Sequence, residues 1–384
     1  MKIADRITNL PPYVFAIVED RIAQKKAQGV DVISLGIGSP DLPAPRYIID
    51  AMYQEALKPT AHGYAGYFGT PALRNAICTY YGRRFGVELD PKNEVRPLIG
   101  SKEGLANMAL AFVDPGDIVL ATDPGYPTYR MGALMAGGST YSLPLRKENG
   151  YLPVFEDVPH DVAAQSTLLW LNYPNNPTGV GAPLSFLQKA VDFCREYDIV
   201  LCYDNPYCDL TFDGYVAPSV LQIPGAKDVA VEFNSLSKTY NMAGWRVGMA
   251  VGNAQAIDAL TTIKTNIDSG IFAPLQAAAV VALTGDQSWI PERNMIYQRR
   301  RDIVLGWLPK LGMSAEMPQG GLYVWAKAPE GADCEAYAVD MLEKVGVWLT
   351  PGTAFGDYGG GYFRISLCVP DDRLIEAGER LLSV

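Results

Sequence analysis

Short apolar runs alternate with amphipathic stretches through the middle of the chain. Each run is bounded by glycine, proline or polar residues, a pattern typical of buried strands. The runs lie at residues 95–99, 117–122, 166–172, 199–203 and 229–231. A stretch with the apolar spacing of a helix follows the first of them. Because strands that alternate with helices form sheets covered on both faces, we predict an α/β fold with a mostly parallel sheet.

Polar side chains follow these predicted strands at the points where the strands end. Tyr126, Asn176, Asp204 and Lys238 each come within a few residues of an apolar run. A carboxylate such as Asp204 is costly at the end of a buried strand unless it has a partner. In open α/β sheets, ligands bind beyond the carboxyl ends of the strands. We therefore predict that these four side chains converge on one site.

The first ninety residues carry weaker signals. An extended arm with two prolines is predicted to enter a helix, and a short strand follows at 32–35. The glycines at 36–43 allow a ligand to approach the backbone, although a plain turn explains them equally well. After a helix near 45–57, three aromatic side chains stand among glycines at 63–69. They either pack on another surface or line a site.

The pattern changes beyond about residue 285. A long helical stretch contains the charge run at 297–302, which we predict to be a solvated helix face. Strands are predicted at 320–325, 347–352 and 362–367, which indicates a smaller α+β domain. Arg364 alternates with apolar neighbours, so its side chain is expected to point inward. A buried arginine needs an anion.

A chain of 384 residues exceeds the usual size of one compact core, so we predict two domains. Residues 1–45 are expected to form an N-terminal arm and part of the small domain. Residues 46–285 are expected to form the large domain, and residues 286–384 the C-terminal small domain.

Composition narrows the function classes. The formal net charge of −10 disfavours a nucleic-acid or anionic-membrane surface, and no apolar run approaches a membrane span. The N-terminus lacks the apolar core of a signal peptide and the six cysteines are scattered, so a cytoplasmic protein with free thiols is expected. Two histidines supply a metal site or a Ser-His-Asp triad poorly, and we predict no metal. Proton transfer is therefore left to another residue type, and a lysine fits that role.

The segment around Lys238 suggests which chemistry this is. Ser235 and Ser237 precede the lysine, and Arg246 follows it. The serines and the arginine suit a phosphate, and a free amine condenses with an aldehyde. We therefore predict a Schiff-base lysine beside a phosphate site, which means pyridoxal phosphate. An ordinary polar loop after a strand is the alternative.

Several motifs occur in a fixed order along the chain. They are Asn-Pro-Thr-Gly at 176–179, Asp-x-x-Tyr at 204–207, Ser-x-Ser-Lys at 235–238, Gly-x-Arg-x-Gly at 244–248 and the late Arg364. Together they resemble the fold-type I, pyridoxal-phosphate-dependent aminotransferases of class I/II, over nearly the whole chain. The resemblance implies a mostly parallel seven-stranded sheet in the large domain. Within the class, residues 100–104, 171–179, 235–242 and 264–270 are similar to the bacterial LL-diaminopimelate aminotransferases.

The resemblance also implies roles for individual residues. Lys238 would form the internal aldimine and move the α-proton, Asp204 would keep the pyridine nitrogen protonated, and Tyr207 would donate to the phenolic oxygen of the ring. The other cofactor contacts would be Tyr126 on the ring, Asn176 at the phenolic oxygen, and Ser101, Lys102, Ser235, Ser237, Arg246 and the second subunit's Tyr64 at the phosphate. The substrate contacts would be Arg364, Gly38 and Asn176 at the α-carboxylate, and Tyr13 and Tyr67 along the pocket.

The resemblance implies an amino acid:2-oxo acid aminotransferase that passes through pyridoxamine phosphate and works as a homodimer with shared sites. The sequence departs from the diaminopimelate group at residues 205–208, at Asn234, at residues 320–323 and at Tyr67, which leaves the amino donor open. An elimination, cyclisation or oxidation on the same cofactor is the alternative. A ligand-sensing regulator is a third, which the acidic composition and the lack of a DNA-binding segment disfavour.

Overall fold

The structure, a computed structural model, describes residues 1–384. The strands, in chain order, are β1 Ile33–Ser34, β2 Val95–Leu98, β3 Ile118–Asp123, β4 Ser139–Pro144, β5 Ser166–Asn172, β6 Val200–Asp204, β7 Ala230–Ser235, β8 Gly248–Gly252, β9 Ser314–Ala315, β10 Tyr323–Lys327, β11 Val347–Trp348, β12 Thr350–Pro351 and β13 Tyr362–Ser366. The α-helices are α1 Asp5–Thr8, α2 Val14–Ala27, α3 Arg46–Ala56, α4 Pro71–Phe85, α5 Ser101–Phe112, α6 Thr128–Ala136, α7 His160–Ala164, α8 Leu184–Tyr197, α9 Leu236–Thr239, α10 Ala254–Ile267, α11 Ala273–Thr284, α12 Trp289–Trp307, α13 Cys334–Val345 and α14 Asp371–Leu381.

The largest sheet has seven strands in the order β2-β8-β7-β6-β5-β3-β4. Strand β8 runs antiparallel to both its neighbours, and the remaining pairs are parallel. The prediction of a mostly parallel seven-stranded sheet is therefore confirmed. Successive residues of β5 belong to different cores, since Trp170 packs on one face of the sheet and Leu171 on the other. Both faces are buried, which explains why these strands are continuous apolar runs.

The register of the sheet sets where the site forms. Asn172 pairs with Asp204 between β5 and β6, and Asp204 pairs with Phe233 between β6 and β7. The three strands therefore end almost level. The chain leaves β7 directly into the short helix α9, which carries Lys238 one turn beyond the sheet edge. The carboxyl ends of three parallel strands thus meet at one edge, as the sequence pattern predicts.

The C-terminal elements form smaller sheets. Four strands pair antiparallel in the order β12-β13-β10-β9, and helices α12, α13 and α14 follow or precede them. Strand β1 pairs in parallel with β11, so the N-terminal segment lies beside C-terminal elements. The smaller α+β unit is present, and the exact division at residues 45 and 285 stays a prediction. None of the helices combines the length and the apolar character needed to cross a bilayer.

The charge run on α12 is only partly solvated: Arg299 and Asp302 are exposed as predicted, and the prediction is wrong for Arg300 and Arg301. Arg300 and Arg301 are each only 3% exposed. Arg300 forms ion pairs with Asp41 at 2.7 Å and Asp371 at 3.0 Å, and Arg301 pairs with Asp213. The carboxylates come from distant parts of the chain, and they allow both guanidinium groups to be buried.

Candidate active site

A cavity of about 340 Å³ lies at the carboxyl edge of the large sheet. Thirteen of the fifteen predicted site residues line it: Tyr13, Gly38, Ser101, Lys102, Tyr126, Asn176, Asp204, Tyr207, Ser235, Ser237, Lys238, Arg246 and Arg364. The other two, Tyr64 and Tyr67, lie outside it. Tyr64 is 91% exposed and Tyr67 is 47% exposed, so within one chain neither touches the cavity.

Lys238 extends into this cavity from α9. Ser235 caps the helix, since its hydroxyl accepts a hydrogen bond from the Ser237 N–H at 3.2 Å. The Lys238 ammonium donates to the Gly38 carbonyl oxygen at 2.5 Å and lies 5.9 Å from the centre of the Tyr207 ring. The amine therefore faces the loop after β1 across the cavity, where a substrate can reach it.

Arg293 of α12 holds the other end of α9. One of its η nitrogens donates to the carbonyl oxygens of Lys238 at 2.7 Å and Thr239 at 2.9 Å, and the other donates to the Asp209 carbonyl at 2.9 Å. The last carbonyl oxygens of a helix lack hydrogen-bond donors within the helix. The Arg293 guanidinium donates hydrogen bonds to those of α9. The sequence analysis missed Arg293, because it lies 55 residues from Lys238 and no local pattern links the two.

Asp204 is buried at the end of β6, and its two oxygens have different surroundings. Oδ2 accepts a hydrogen bond from the Tyr129 hydroxyl at 2.7 Å, whereas Oδ1 is buried with no hydrogen-bond partner in the protein. Burial raises the pKa of Asp204 to about 7, and the Tyr129 hydrogen bond and the Lys238 charge oppose that rise. A buried carboxylate oxygen with no donor calls for a cationic N–H from a ligand.

Two residues that the sequence analysis missed hold Asp204 in place, Tyr129 at its carboxylate and Asn172 at its backbone carbonyl. Tyr129 stacks on Trp170 with ring centres 4.9 Å apart, which sets the direction of its hydroxyl. Asn172 donates to the Asp204 carbonyl at 2.6 Å and accepts from the Asn176 N–H at 2.7 Å. Tyr129 stands three residues after Tyr126, which the sequence already places at the site. This closeness in the sequence was the signal that could have identified Tyr129.

A second cluster of donors stands where α5 begins. Gly100 has a φ of +71°, and a Cβ there would come within 2.2 Å of an Arg246 η nitrogen. Gly248 likewise brings β8 against the Ser101 N–H, since its Cβ would lie 2.5 Å from that nitrogen. These two glycines let Arg246 and the first turn of α5 meet. A helix N-terminus beside a guanidinium is suited to a phosphate.

Arg364 lies on β13 and is 3% exposed, so it points inward as its alternation with apolar residues predicts. Its guanidinium lies among three rings, 4.1 Å from the centre of Tyr323, 4.5 Å from Phe355 and 5.1 Å from Phe15. It donates to the Asn176 side-chain oxygen at 3.0 Å, and its Nε is buried without a partner.

No carboxylate lies within ion-pair distance of Arg364. A buried guanidinium without a protein anion is suited to binding a carboxylate from a ligand. The side chains of Arg364 and Lys238 line the same cavity, so a ligand can contact both.

Tyr207 and Tyr323 close the side of the cavity between Asp204 and Arg364. Their hydroxyl oxygens are 3.3 Å apart, and burial raises the pKa of Tyr207 well above its usual range. A Cβ on Gly38 would lie 1.7 Å from the Tyr323 hydroxyl oxygen, so only glycine fits there. The Tyr207 phenol therefore stays protonated and can donate to a ligand.

The comparisons with known proteins agree with this geometry. The aminotransferase class I and II family matches residues 30–381 of the chain. The LL-diaminopimelate aminotransferase of Moorella thermoacetica is 51% identical over 384 residues, covering 100% of this chain and 98% of that protein. The enzyme of the same name from Desulforudis audaxviator is 52% identical and covers 98% of this chain and 96% of that one. The apo-BacF structure from Bacillus subtilis matches with a TM-score of 0.96 at 38% identity, covering 100% of this chain and 98% of that chain.

A lysine beyond the edge of a seven-stranded, mostly parallel sheet, together with these matches, defines a fold-type I enzyme that uses pyridoxal phosphate. The chain belongs to the aminotransferase class I and II family. It transfers an amino group between an amino acid and a 2-oxo acid. The predictions of the family, the cofactor and the type of reaction are therefore confirmed.

The residues of the cavity fit pyridoxal phosphate. Asp204 offers a buried oxygen without a donor, which suits a protonated ring nitrogen. The turn before α5, the two serines around α9 and Arg246 form a cradle of donors that suits the phosphate. The space between these two ends contains the Lys238 amine.

Proposed function

We propose that this enzyme transfers the amino group of LL-diaminopimelate to a 2-oxo acid such as 2-oxoglutarate. The observation that carries the proposal is a cavity in which the guanidinium of Arg364, which has no carboxylate partner in the protein, and the amine of Lys238 face one space. Two relatives at about half identity have this donor in their names. LL-Diaminopimelate has a second amino acid group at its far end. Glu19 also lines the cavity and offers a negative charge for the far ammonium group.

Pyridoxal phosphate, when bound, supplies an aldehyde that condenses with amines and a ring that withdraws electrons from the α-carbon. The Nζ atom of Lys238 removes the α-proton and holds it for transfer. Asp204 Oδ1 would accept a hydrogen bond from the ring N–H and would keep that nitrogen protonated. The Tyr207 hydroxyl and the Asn176 amide would donate to the phenolic oxygen of the cofactor, and Tyr126 would support the ring.

The remaining cavity residues hold the two anionic ends. Arg364 pairs with the substrate α-carboxylate, with Asn176 and the backbone at Gly38 beside it. The phosphate of the cofactor would be held by the serines at positions 101, 235 and 237, by Arg246 and by Lys102. The Tyr13 hydroxyl accepts a hydrogen bond from Lys102 Nζ at 3.2 Å at the wall of the cavity, which supports a role for Tyr13 beside the substrate side chain.

A panel of amino donors tests the proposed substrate. With 2-oxoglutarate as acceptor, kcat/KM for LL-diaminopimelate is expected to exceed that for alanine, aspartate and phenylalanine by at least about fivefold, because an ion pair between its far ammonium group and the exposed Glu19 adds about 1 kcal/mol. The measurement is glutamate formed per amino group lost. A flat profile across the panel would contradict the proposed donor. Product formed without any 2-oxo acid would contradict transamination.

Replacing Arg364 by lysine should lower kcat/KM for every α-amino acid by about 100-fold. Lysine keeps the charge and loses the bidentate geometry, which is worth about 2–3 kcal/mol for a charged pair. Steady-state kinetics with donors of different side chains measure the effect. Donor amines without a carboxylate serve as the control, since their slow reaction should not change. A loss that differed between short and long amino acids would place the carboxylate elsewhere.

We also propose that the enzyme works as a homodimer in the cytoplasm. Large apolar side chains are exposed around the loop after α3 and the segment before α11, namely Tyr53, Leu57, Tyr64, Tyr67, Phe68, Ile267 and Phe272. These two segments touch, because the rings of His62 and Phe272 lie 6.0 Å apart. Exposed apolar patches of this kind mark subunit interfaces. Six free cysteines support a reducing compartment.

In such a dimer, Tyr64 would reach the partner's phosphate and Tyr67 the partner's substrate pocket. Co-expressing Lys238→Ala with Tyr64→Ala should then restore activity to about a quarter of the wild-type value, since half the dimers are mixed and each mixed dimer has one intact site. The measurement compares the activity of the co-purified mixture with the activity of each variant alone. A mixture no more active than its components would show that Tyr64 serves its own chain or none.

A further inference from the structure

A second cavity, of about 540 Å³, lies outside the active site between the start of α4 and the turn before β2. Its lining contains three cations, Arg74, Lys92 and Arg96, and one acid, Asp258. Neither arginine has a carboxylate within ion-pair distance, whereas the buried Arg300 and Arg301 both do. The cavity therefore has an excess of positive charge that the protein does not neutralise.

Arg96 is buried on the edge strand β2 and is only 5% exposed. Its Nε donates to the Thr261 hydroxyl at 2.7 Å, and one η nitrogen makes a long contact of 3.5 Å with the Phe68 carbonyl. The other η nitrogen has no protein acceptor. Burial and the nearby Arg74 lower the pKa of Arg96 to about 10, and Asp258 opposes this only weakly. A guanidinium buried in this way is destabilising until an anion joins it.

Arg74 faces the same space from the first turn of α4. One of its η nitrogens donates to the Pro91 carbonyl at 3.1 Å, and its Nε is buried without any acceptor. The 15-residue helix begins at Pro71, which also lines the cavity, so the positive end of the helix dipole adds to the two arginines. The buried guanidinium of Arg96, the half-buried guanidinium of Arg74 with its buried Nε, and a helix N-terminus thus surround one space.

We propose that this second cavity is a binding site for a small oxyanion of the phosphate type, held between Arg74 and Arg96. Such an anion accepts several N–H donors at once and matches the planar fork of a guanidinium. Binding also affects a neighbouring segment. Arg96 lies 4.9 Å from the centre of the Phe68 ring and contacts its carbonyl, so an anion that fixes Arg96 steadies the loop that carries Tyr64.

Inorganic phosphate added to the holoenzyme tests this site. Saturation with pyridoxal phosphate fills the cradle at α5, and replacing chloride by phosphate at constant ionic strength removes general salt effects. At about ten times Kd, phosphate is expected to raise the wild-type Tm by about 2 °C. Calorimetric titration is expected to give one phosphate per chain.

Arg74→Met and Arg96→Met each keep an apolar stem without the charge, and both should abolish the rise in Tm and the titration heat. Lys310→Met, an exposed cation far from the cavity, is the control and should respond like the wild type. Without phosphate, Arg96→Met should be no less stable than the wild type, because an unpaired buried charge is gone. If it fails to fold, Arg74→Met alone decides. An equal response in wild type and Arg74→Met, or no response in the wild type, would overturn the proposal.

Discussion

Replacing Lys238 by alanine is expected to lower kcat by at least about 10⁴-fold, because the change removes both a nucleophilic amine and the base that moves the α-proton. Binding of pyridoxal phosphate should survive, since Asp204, Arg246 and the turn before α5 are unchanged. The measurement is a single turnover of the bound cofactor with an amino donor, followed by absorbance. Added methylamine should restore part of the rate, as it replaces the missing base.

Lys102→Ala is the matched control, because it removes a second lysine from the same cavity. Lys102 is exposed and touches the Tyr13 ring from 4.3 Å, so its loss should reduce kcat/KM by about tenfold at most. If Lys238→Ala turned over donors at a rate close to that of Lys102→Ala, the assignment of Lys238 would be wrong.

Asp204→Asn is expected to lower kcat by about 10²–10³-fold, the range seen when one electrostatic partner of a developing charge is removed. Asparagine keeps the shape and the Tyr129 contact while losing the negative charge that holds a proton on the ring nitrogen. Reconstitution with an N-methyl derivative of the cofactor, whose ring nitrogen is permanently charged, should recover much of the loss. If Asp204→Asn had the activity of the wild type with ordinary pyridoxal phosphate, the proposed role of Asp204 would be wrong.

The same substitution should have the opposite effect on the stability of the cofactor-free protein. Burial raises the pKa of Asp204 from 3.8 to about 7, so this group favours folding below pH 4 and loses that contribution as pH rises to 7. Between pH 4 and 8, Asp204→Asn should therefore gain stability relative to the wild type by on the order of 4 kcal/mol. Urea unfolding of both proteins at the two pH values measures the change. If the difference in free energy of unfolding between the two proteins were the same at pH 4 and pH 8, burial would not disfavour the charged form of Asp204.

The fold and most of the cavity could be predicted because their signals are local. Lys238 and Asp204 each follow a buried apolar run, and the carboxyl ends of neighbouring parallel strands meet at one edge. The inward orientation of Arg364 could be predicted for the same reason, since alternation along one strand shows which way a side chain points.

The partners of charged side chains could not be predicted in this way. Arg300 looked like part of a solvated face because its carboxylates, Asp41 and Asp371, are far away in the sequence. Arg293 and Arg96 were missed for related reasons, since burial of a guanidinium depends on three-dimensional neighbours that no periodicity records. Tyr64 differs from these, because its proposed contact lies on another chain.

Because of the guanidinium of Arg293, the large domain cannot be separated from α12 without changing the active site. It ties α12 to the carbonyl oxygens of Lys238 and Thr239, although it lies beyond the large-domain boundary predicted at residue 285. A graft of residues 46–285 onto another scaffold would keep the whole sheet edge and lose this anchor. Such a transplanted unit is expected to bind cofactor with a loosely held lysine, so gene fragments or chimaeras of this enzyme need α12 as part of the catalytic unit.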